Sequence, residues 1–408
     1  MKQSQTQNVS LRKFPYPYKA MFAICSDLDH AVSLPAYLDF MQFLNTSRET
    51  VYGTGINLEL SNSFWFYNAE NDDQLSYFQG LSTKETAFAP VCRDLWKSGH
   101  LDTMHSYGDF NKGGFERRFA EQSMEILSKY QVNIPVWVNH GNDFNNQKVG
   151  NYPEFKGAKP ESSAYHLDLL RENETRFFWA GRTTHVAGQD AAFSVGNQLQ
   201  QRLQKLALKT KYRKIQRPLP DPPNRLLIRT ELEDGSHILE FQRFISRFGE
   251  VRNTDFHDLA LQLTDANLSA LVNSHGFMLL YTHMNENLPE NQAFPESVML
   301  GFQRLQAYAL KQDLLVTTSS RLLAYADLIQ HLTWTEEFNT GQKTLHLKRD
   351  DHRPLKPGDL EGLCVYCDEA DRTRLMLDGQ NLATRVNPVE KNGHQSVSIP
   401  WIPLEYPL

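Results

Sequence analysis

The stretch Gly99-His-Leu-Asp-Thr-Met-His-Ser-Tyr-Gly-Asp109 decides how the rest of the chain is read. It lies between a helix-like run, Ala89–Ser98, and an amphipathic one, Phe115–Tyr130, with Phe119, Met124 and Leu127 on one helical face. His105 and Asp109 are four apart, so on a helical turn both side chains leave one face and can meet one ion. Imidazole and carboxylate are the mixed nitrogen and oxygen donors that suit a catalytic divalent metal such as zinc. The spacing alone is a weak signal, because most such pairs are surface or cap pairs.

Working outward, the next signals lie at strand ends. Lys19–His30 (KAMFAICSDLDH) reads as a buried strand closing on two acids. Period two puts Cys25, Asp27 and Asp29 on one face, with Phe22 and Ile24 on the other. Two carboxylates side by side repel, raising at least one pKa unless a cation holds one ionised. The plain alternative is a pair of acids capping the next helix. Gly276–His283 (GFMLLYTH) is a second buried strand, with Phe277, Leu279, Tyr281 and His283 on one face. A lone histidine ending such a strand is more often a core or turn residue, so its reading depends on the other motifs. Between them, Ile134–Asn139 (IPVWVN) reads as a strand running into His140-Gly-Asn-Asp143.

Gly99-His100, four further residues and His105-Ser-Tyr-Gly-Asp109 resemble the second motif of the polysaccharide deacetylases, the NodB-homology group of carbohydrate esterase family 4. There the outer residues of His-Ser/Thr-x-x-His bind a metal. The last position here is Asp109, which keeps a ligand and makes the site more anionic. Asp27-x-Asp29 is similar to the first motif, whose first acid is the base and whose second is a ligand. The strand ending Leu280-Tyr-Thr-His283 is similar to the last motif, with altered spacing. The resemblance thus implies Asp29, His105 and Asp109 as ligands of a divalent metal, zinc by its chemistry, with Asp27 as base and His283 as acid.

The family also places an arginine-proline motif beside the base, and no such arginine follows the strand at 134–139. Asn139, His140 and Asn142 stand there instead as substrate-facing hydrogen bonders, although an ordinary Asn/Gly turn explains each at least as well. Arg182 and His185, where a strand-to-helix loop should begin, are further substrate candidates. A backbone N–H near Tyr107 or Asn142 is the candidate oxyanion donor.

The implied reaction is metal-assisted hydrolysis of an amide, removing an N-acetyl or related acyl group from a carbohydrate. Two rivals remain: a C–N hydrolase acting on a cyclic amide or imide, and a non-catalytic sugar-binding protein on the same scaffold. The missing arginine feeds both.

Strand–helix alternation from Tyr18 to Leu332 makes this an α/β chain and fits a barrel of parallel strands. By resemblance it is a distorted seven-stranded (β/α) barrel over residues 1–332. All three motifs fall at C-terminal strand ends, the rim where such folds place catalysis. From Thr333 the texture changes to short strands between Gly, Asp and Pro turns, predicting a small β domain over 333–408. That domain reads as a lid on the barrel, a carbohydrate-binding appendage or a dimer contact. Its single C-x-x-C, Cys364 and Cys367, has no second pair and does not read as a zinc site.

A net charge of −6 and a pI near 6.2 in 408 residues argue against a general nucleic-acid binder. The basic cluster from Lys209 to Arg217, before PLPDPP, lacks aromatic interleaving and reads as a solvated linker. Four cysteines make no disulfide framework. The start, MKQSQTQNVSLRKF, has no apolar h-region, and no run reaches membrane-spanning length. The expectation is a soluble cytoplasmic protein with a carbohydrate substrate.

Overall fold

The computed structural model describes residues 9–70, 73–191, 224–247, 251 and 253–408. The basic cluster from Lys209 to Arg217 and the proline-rich connector lie outside the described residues.

In chain order the first strands are β1 (Ser10–Arg12), β2 (Ala20–Ser26), the hairpin β3 and β4 (Glu49–Thr50, Gly53–Thr54), β5 (Asn62–Phe64), β6 (Leu101–His105) and β7 (Val136–Val138). Next come β8 (Phe177–Trp179), β9 (Thr183–Thr184), β10 (Leu227–Glu231), β11 (His237–Phe241), β12 (Arg243–Phe244), β13 (Phe277–Thr282) and β14 (Leu314–Val316). Helices fall between them, as the alternation predicted.

Two sheets result. One has the order β14-β2-β13-β12-β9 and is parallel throughout. The other, β10-β11-β8-β7-β6-β5, is parallel except for the β10/β11 hairpin, which turns at Glu233-Asp-Gly-Ser236. The sheets are joined because two stretches of chain change sheet midway. β8 pairs with β11 in one, and their continuations β9 and β12 pair in the other.

β2 is buried on both faces, as a central parallel strand must be. Phe22 and Ile24 enter one core cluster while Met21, Ala23 and Cys25 enter the other, so the period-two reading holds. β13 divides in the same way, with Met278 and Leu280 opposite Phe277 and Leu279.

Within the polar stretch before α-helical residues 88–97, Tyr77 and Phe78 are buried, and Tyr77 stacks on Trp96 with 5.3 Å between ring centroids. Phe256–Ser274 is a short 3-10 turn and two helices, the second starting after Thr264, whose hydroxyl caps Asn267 N–H.

The C-terminal region builds β15 (Leu332–Asn339), β16 (Gln342–Arg349), β17 (Cys364–Tyr366), β18 (Thr373–Leu377), β19 (Gln380–Asn381), β20 (Arg385–Val386) and β21 (Ser396–Ser398). They form two four-stranded sheets, β15-β16-β18-β19 and β1-β17-β21-β20. β1, from the start of the chain, is therefore part of this module. The tail returns to the α/β part, where Tyr406 and Leu408 pack on its core and Leu404 N–H donates to Glu59. Cys364 and Cys367 are buried free thiols. Among the described residues, no helix is long and apolar enough to cross a membrane.

Candidate metal centre

Four parallel strands deliver the site. β2 runs out into Asp27 and Asp29, β6 ends on His105, β7 is followed by Asn139 and His140, and β13 is followed by His283. The ends of β6 and β7 are stapled by one hydroxyl. Ser106 Oγ donates to Val138 O at 3.1 Å and accepts His140 N–H at 3.0 Å. This sets the two imidazoles edge to face, 4.7 Å between centroids. Trp65 supports both, stacked on His105 at 5.4 Å and edge-on to His140 at 5.2 Å.

Asp29, His105 and His140 offer ligand atoms that all lie within 4.8 Å of one another. Asp27, Asp29 and His283 form a second such group sharing Asp29. His105 Nδ1 is buried without a hydrogen-bond partner and faces Asp29 Oδ2 at 3.6 Å. His140 Nδ1 is 3.2 Å from Asp29 Oδ1, and His283 Nε2 is 3.4 Å from Asp29 Oδ2. Two imidazoles and a carboxylate with an orphaned ring nitrogen between them fit a divalent metal of the zinc type. Side-chain exposures of 11–16% for His140, Asp29 and His283 leave one side open to solvent.

Asp27 is held differently. Arg243, on β12 and fully buried, grips both its oxygens, Nη1 to Oδ1 at 2.6 Å and Nη2 to Oδ2 at 3.0 Å. The guanidinium is sandwiched between Trp179 and Tyr281, 3.5 and 3.8 Å from their ring centroids. That pairing neutralises a carboxylate that burial would otherwise penalise. Burial alone would raise the Asp27 pKa, but Arg243, then His105 and His283, takes it below the usual range. Burial acts likewise on Asp29, yet His105, His140 and His283 bring it to about 2. Burial lowers His105 to about 4, against the pull of Asp27 and Asp29. Both carboxylates are thus anionic and His105 is neutral near pH 7, the states a metal site needs.

No protein-family model, curated protein or solved structure matches this chain. The site therefore rests on its own geometry.

That geometry gathers Asp27, Asp29, His105 and His283 in one place, and the groups that could hold an ion include His140 and not Asp109. Asp109 does not join His105, because no helical turn connects them: Ser106 takes a left-handed φ of +54°, and helix begins only at Arg117. Gly108 passes so close to Tyr67 that an added Cβ would lie 2.4 Å from its carbonyl oxygen. Asp109 instead accepts the backbone N–H groups of Ala69 and Glu70. His140, read from the sequence as a substrate contact, stands where Asp109 was expected.

The remaining candidates are spent elsewhere. The Tyr107 ring lies in the core against Phe115 and Trp137, and its N–H donates to Gln147. Asn139 binds Trp137 and Val149. Asn142 forms an exposed turn, donating its N–H to Asn111 and accepting that of Phe144. Arg182 pairs with Glu240, and His185 Nδ1 meets the Ser246 carbonyl. Sequence reasoning passed over Arg243 and Trp65. Only a faint signal for the first was present: an arginine between Phe241 and Phe244 on a strand-like stretch, which if buried must find an anion.

Proposed function

We propose that this chain is a metal-dependent hydrolase of the polysaccharide deacetylase kind, removing an N-acetyl or related acyl group from a carbohydrate. Its two joined sheets are then the arcs of a distorted (β/α) barrel. The observation that carries this reading is the division between two neighbouring carboxylates. Asp29 belongs to a donor group with His105 and His140, while Asp27 is clamped by Arg243 beside that group. Arg243 answers the missing-arginine objection, since a cation holds the base although it comes from another strand.

A divalent ion held by Asp29, His105 and His140 would supply Lewis acidity to the amide carbonyl and to water. Asp27, kept ionised by Arg243, accepts the proton of the attacking water at Oδ2, the oxygen nearest His105 and His283. His283 Nε2 returns a proton to the departing amine nitrogen as the C–N bond breaks. A cavity of about 320 Å³ adjoins the loops after β2 and β13, lined by His30, Ser33, Asn285, Glu286 and Glu290. Its size is at the lower end for small-ligand sites, roughly 300–1,000 Å³, and Ala31, Val32, Ala36, Tyr37 and Leu288 make its lining mixed, with polar groups beside apolar ones.

The test combines metal analysis of the purified protein with a screen of N-acetylated amino sugars and cyclic imides. Asp27→Asn should keep the metal and lose about 10²–10⁴-fold in rate. His105→Ala should lose the metal itself. Wild-type turnover by Asp27→Asn, or no acid released from any substrate by metal-loaded protein, would sink the proposal. Turnover of imides alone would move the substrate to the cyclic-amide class.

A further inference from the structure

We infer that the cavity beside the metal centre binds a protonated amine, and that the substrate carries a free amino group next to the acylated one. The amine site stands on the cavity; the substrate class, a partly deacylated amino-sugar chain, rests on the hydrolase reading. The path of the chain puts the cavity next to the centre. His30 follows Asp29 directly, and Glu286 lies one turn past His283, whose carbonyl accepts its N–H at 3.0 Å. Two bonds hold that loop in place: Met284 N–H donates to Ser26 Oγ at 3.0 Å, and Asn287 Nδ2 to Asp255 Oδ2 at 3.2 Å. A glycan with one sugar at the centre can set the next in the cavity.

Two features of the lining select the ligand. The first is an unused donor. Asn62 Oδ1 accepts Ser63 N–H at 2.9 Å, so its Nδ2 faces Asn285, whose Oδ1 accepts it at 2.6 Å. Asn285 Nδ2 is left buried without a partner, on a residue 4% exposed. A buried N–H in that state costs stability until an oxygen meets it, and a sugar hydroxyl supplies one. The second feature is charge. Glu286 and Glu290 line the cavity, and no lysine or arginine does so among the described residues. The helix Leu34–Asn45 starts at the same wall, but the positive end of a helix amounts to about half a charge. Ser33 Oγ already caps Ala36 N–H there at 3.3 Å. Two carboxylates outweigh that end, so phosphate and carboxylate ligands are disfavoured and cations drawn in. A bare metal ion fits poorly, because neither glutamate belongs to a group of three donors close enough to share one. An ammonium on an organic frame fits, with Tyr37 and Leu288 as apolar wall for the rest of the ring.

The test is calorimetric binding of two probes to the full-length, metal-loaded protein: the β-1,4-linked trimers of glucosamine and of glucose, which differ in ammonium against hydroxyl. The glucosamine trimer should bind more tightly and lose affinity as salt rises to about 0.5 M. Glu286→Gln/Glu290→Gln should weaken it by roughly 10–100-fold and leave the glucose trimer unchanged. Both side chains are partly exposed, so this variant should melt with the wild type. No binding of the glucosamine trimer, affinity equal to that of the glucose trimer, or a double variant that binds it as the wild type does overturns the inference. Carboxylate-dependent binding with no acetate released from any acetylated trimer keeps the amine site and removes the hydrolase reading. In an active enzyme, kcat/KM should favour the singly N-acetylated glucosamine trimer over the fully acetylated one by roughly tenfold or more. Equal values overturn the substrate class.

Discussion

Asp327, at the junction with the β module, and Asp27, at the metal centre, are each 2% exposed and each held by arginine. At the junction, Asp327 Oδ2 accepts Arg349 at 2.9 Å and Arg353 at 2.7 Å, Oδ1 accepts Arg353 at 2.8 Å, and Asp351 binds both arginines from the other side. Neither arginine leaves a buried nitrogen without a partner. At the metal centre, Arg243 Nε and His105 Nδ1 are buried without partners, and three imidazoles face two carboxylates at 3.2–3.9 Å. Buried polar groups left unpaired cost stability unless something else meets them. The junction is satisfied by the chain itself, whereas the centre keeps a set of ligand atoms that could hold an ion.

The largest expected effect is at the centre. Arg243→Met leaves Asp27 buried and unpaired, and should lower the unfolding free energy by about 3–5 kcal/mol in denaturant melts. Adding Asp27→Leu should restore much of it. An Arg243→Met protein as stable as wild type would mean that the pair does not hold the base.

Asp327→Ala should cost less, about 1.5–3 kcal/mol, since Arg353 is a third exposed and keeps Asp351. Metal content should stay at the wild-type value. If the metal is lost as well, the two regions are one unit and the contrast fails.

Asp109→Ala and His140→Ala sharpen the comparison within the centre. Asp109→Ala removes acceptors from two loop amides, should cost about 1 kcal/mol, and should keep the metal. His140→Ala should lose it. The reverse result, measured by metal analysis, would return Asp109 to the ligand set.

The smallest effect is a pH difference. Burial holds His100 and His166 at about 4 in the folded protein, against about 6.5 unfolded. Between those values the unfolded chain binds protons that the folded one does not, so stability present above pH 6.5 is lost as the pH falls toward 4. Asp351 is depressed by its hydrogen bond to Arg349, so its contribution is lost only below the unfolded carboxylate pKa, near 4. From pH 7 to pH 5 the melting temperature should drop by roughly 5 °C, with the junction pairs intact. A His100→Asn/His166→Asn variant with an undiminished slope would refute this origin.

The contrast also marks what the sequence could carry. β2 and β13 were legible because burial on alternating faces is a local pattern, and their terminal acids and histidine announced chemistry. Asp29 and His105 were named as ligands through the family resemblance of the strand-end acids and of the Gly99–Asp109 stretch. His140 was named without its place among the donors, because a His-Gly-Asn turn looks the same whether or not another strand end lies beside it. Arg243 meets Asp27 across 216 residues, a distance that no periodicity spans. Asp109 was misplaced for a local reason: a four-residue spacing implies a shared face only on a helix, and Ser106 breaks that geometry.

The pairing of β1 with β17 has a consequence for how the protein is made. Arg12 lies opposite Cys364, roughly 350 residues later in the chain. At about 5–20 residues per second on the ribosome, the first strand waits roughly 20–70 s for its partner. During that interval the α/β part can close while the amino-terminal strand stays open-edged. The β1 stretch Ser-Leu-Arg, with one apolar residue between two polar ones, offers little for a stray strand to zip onto, which suits an edge that must idle until β17 has been made.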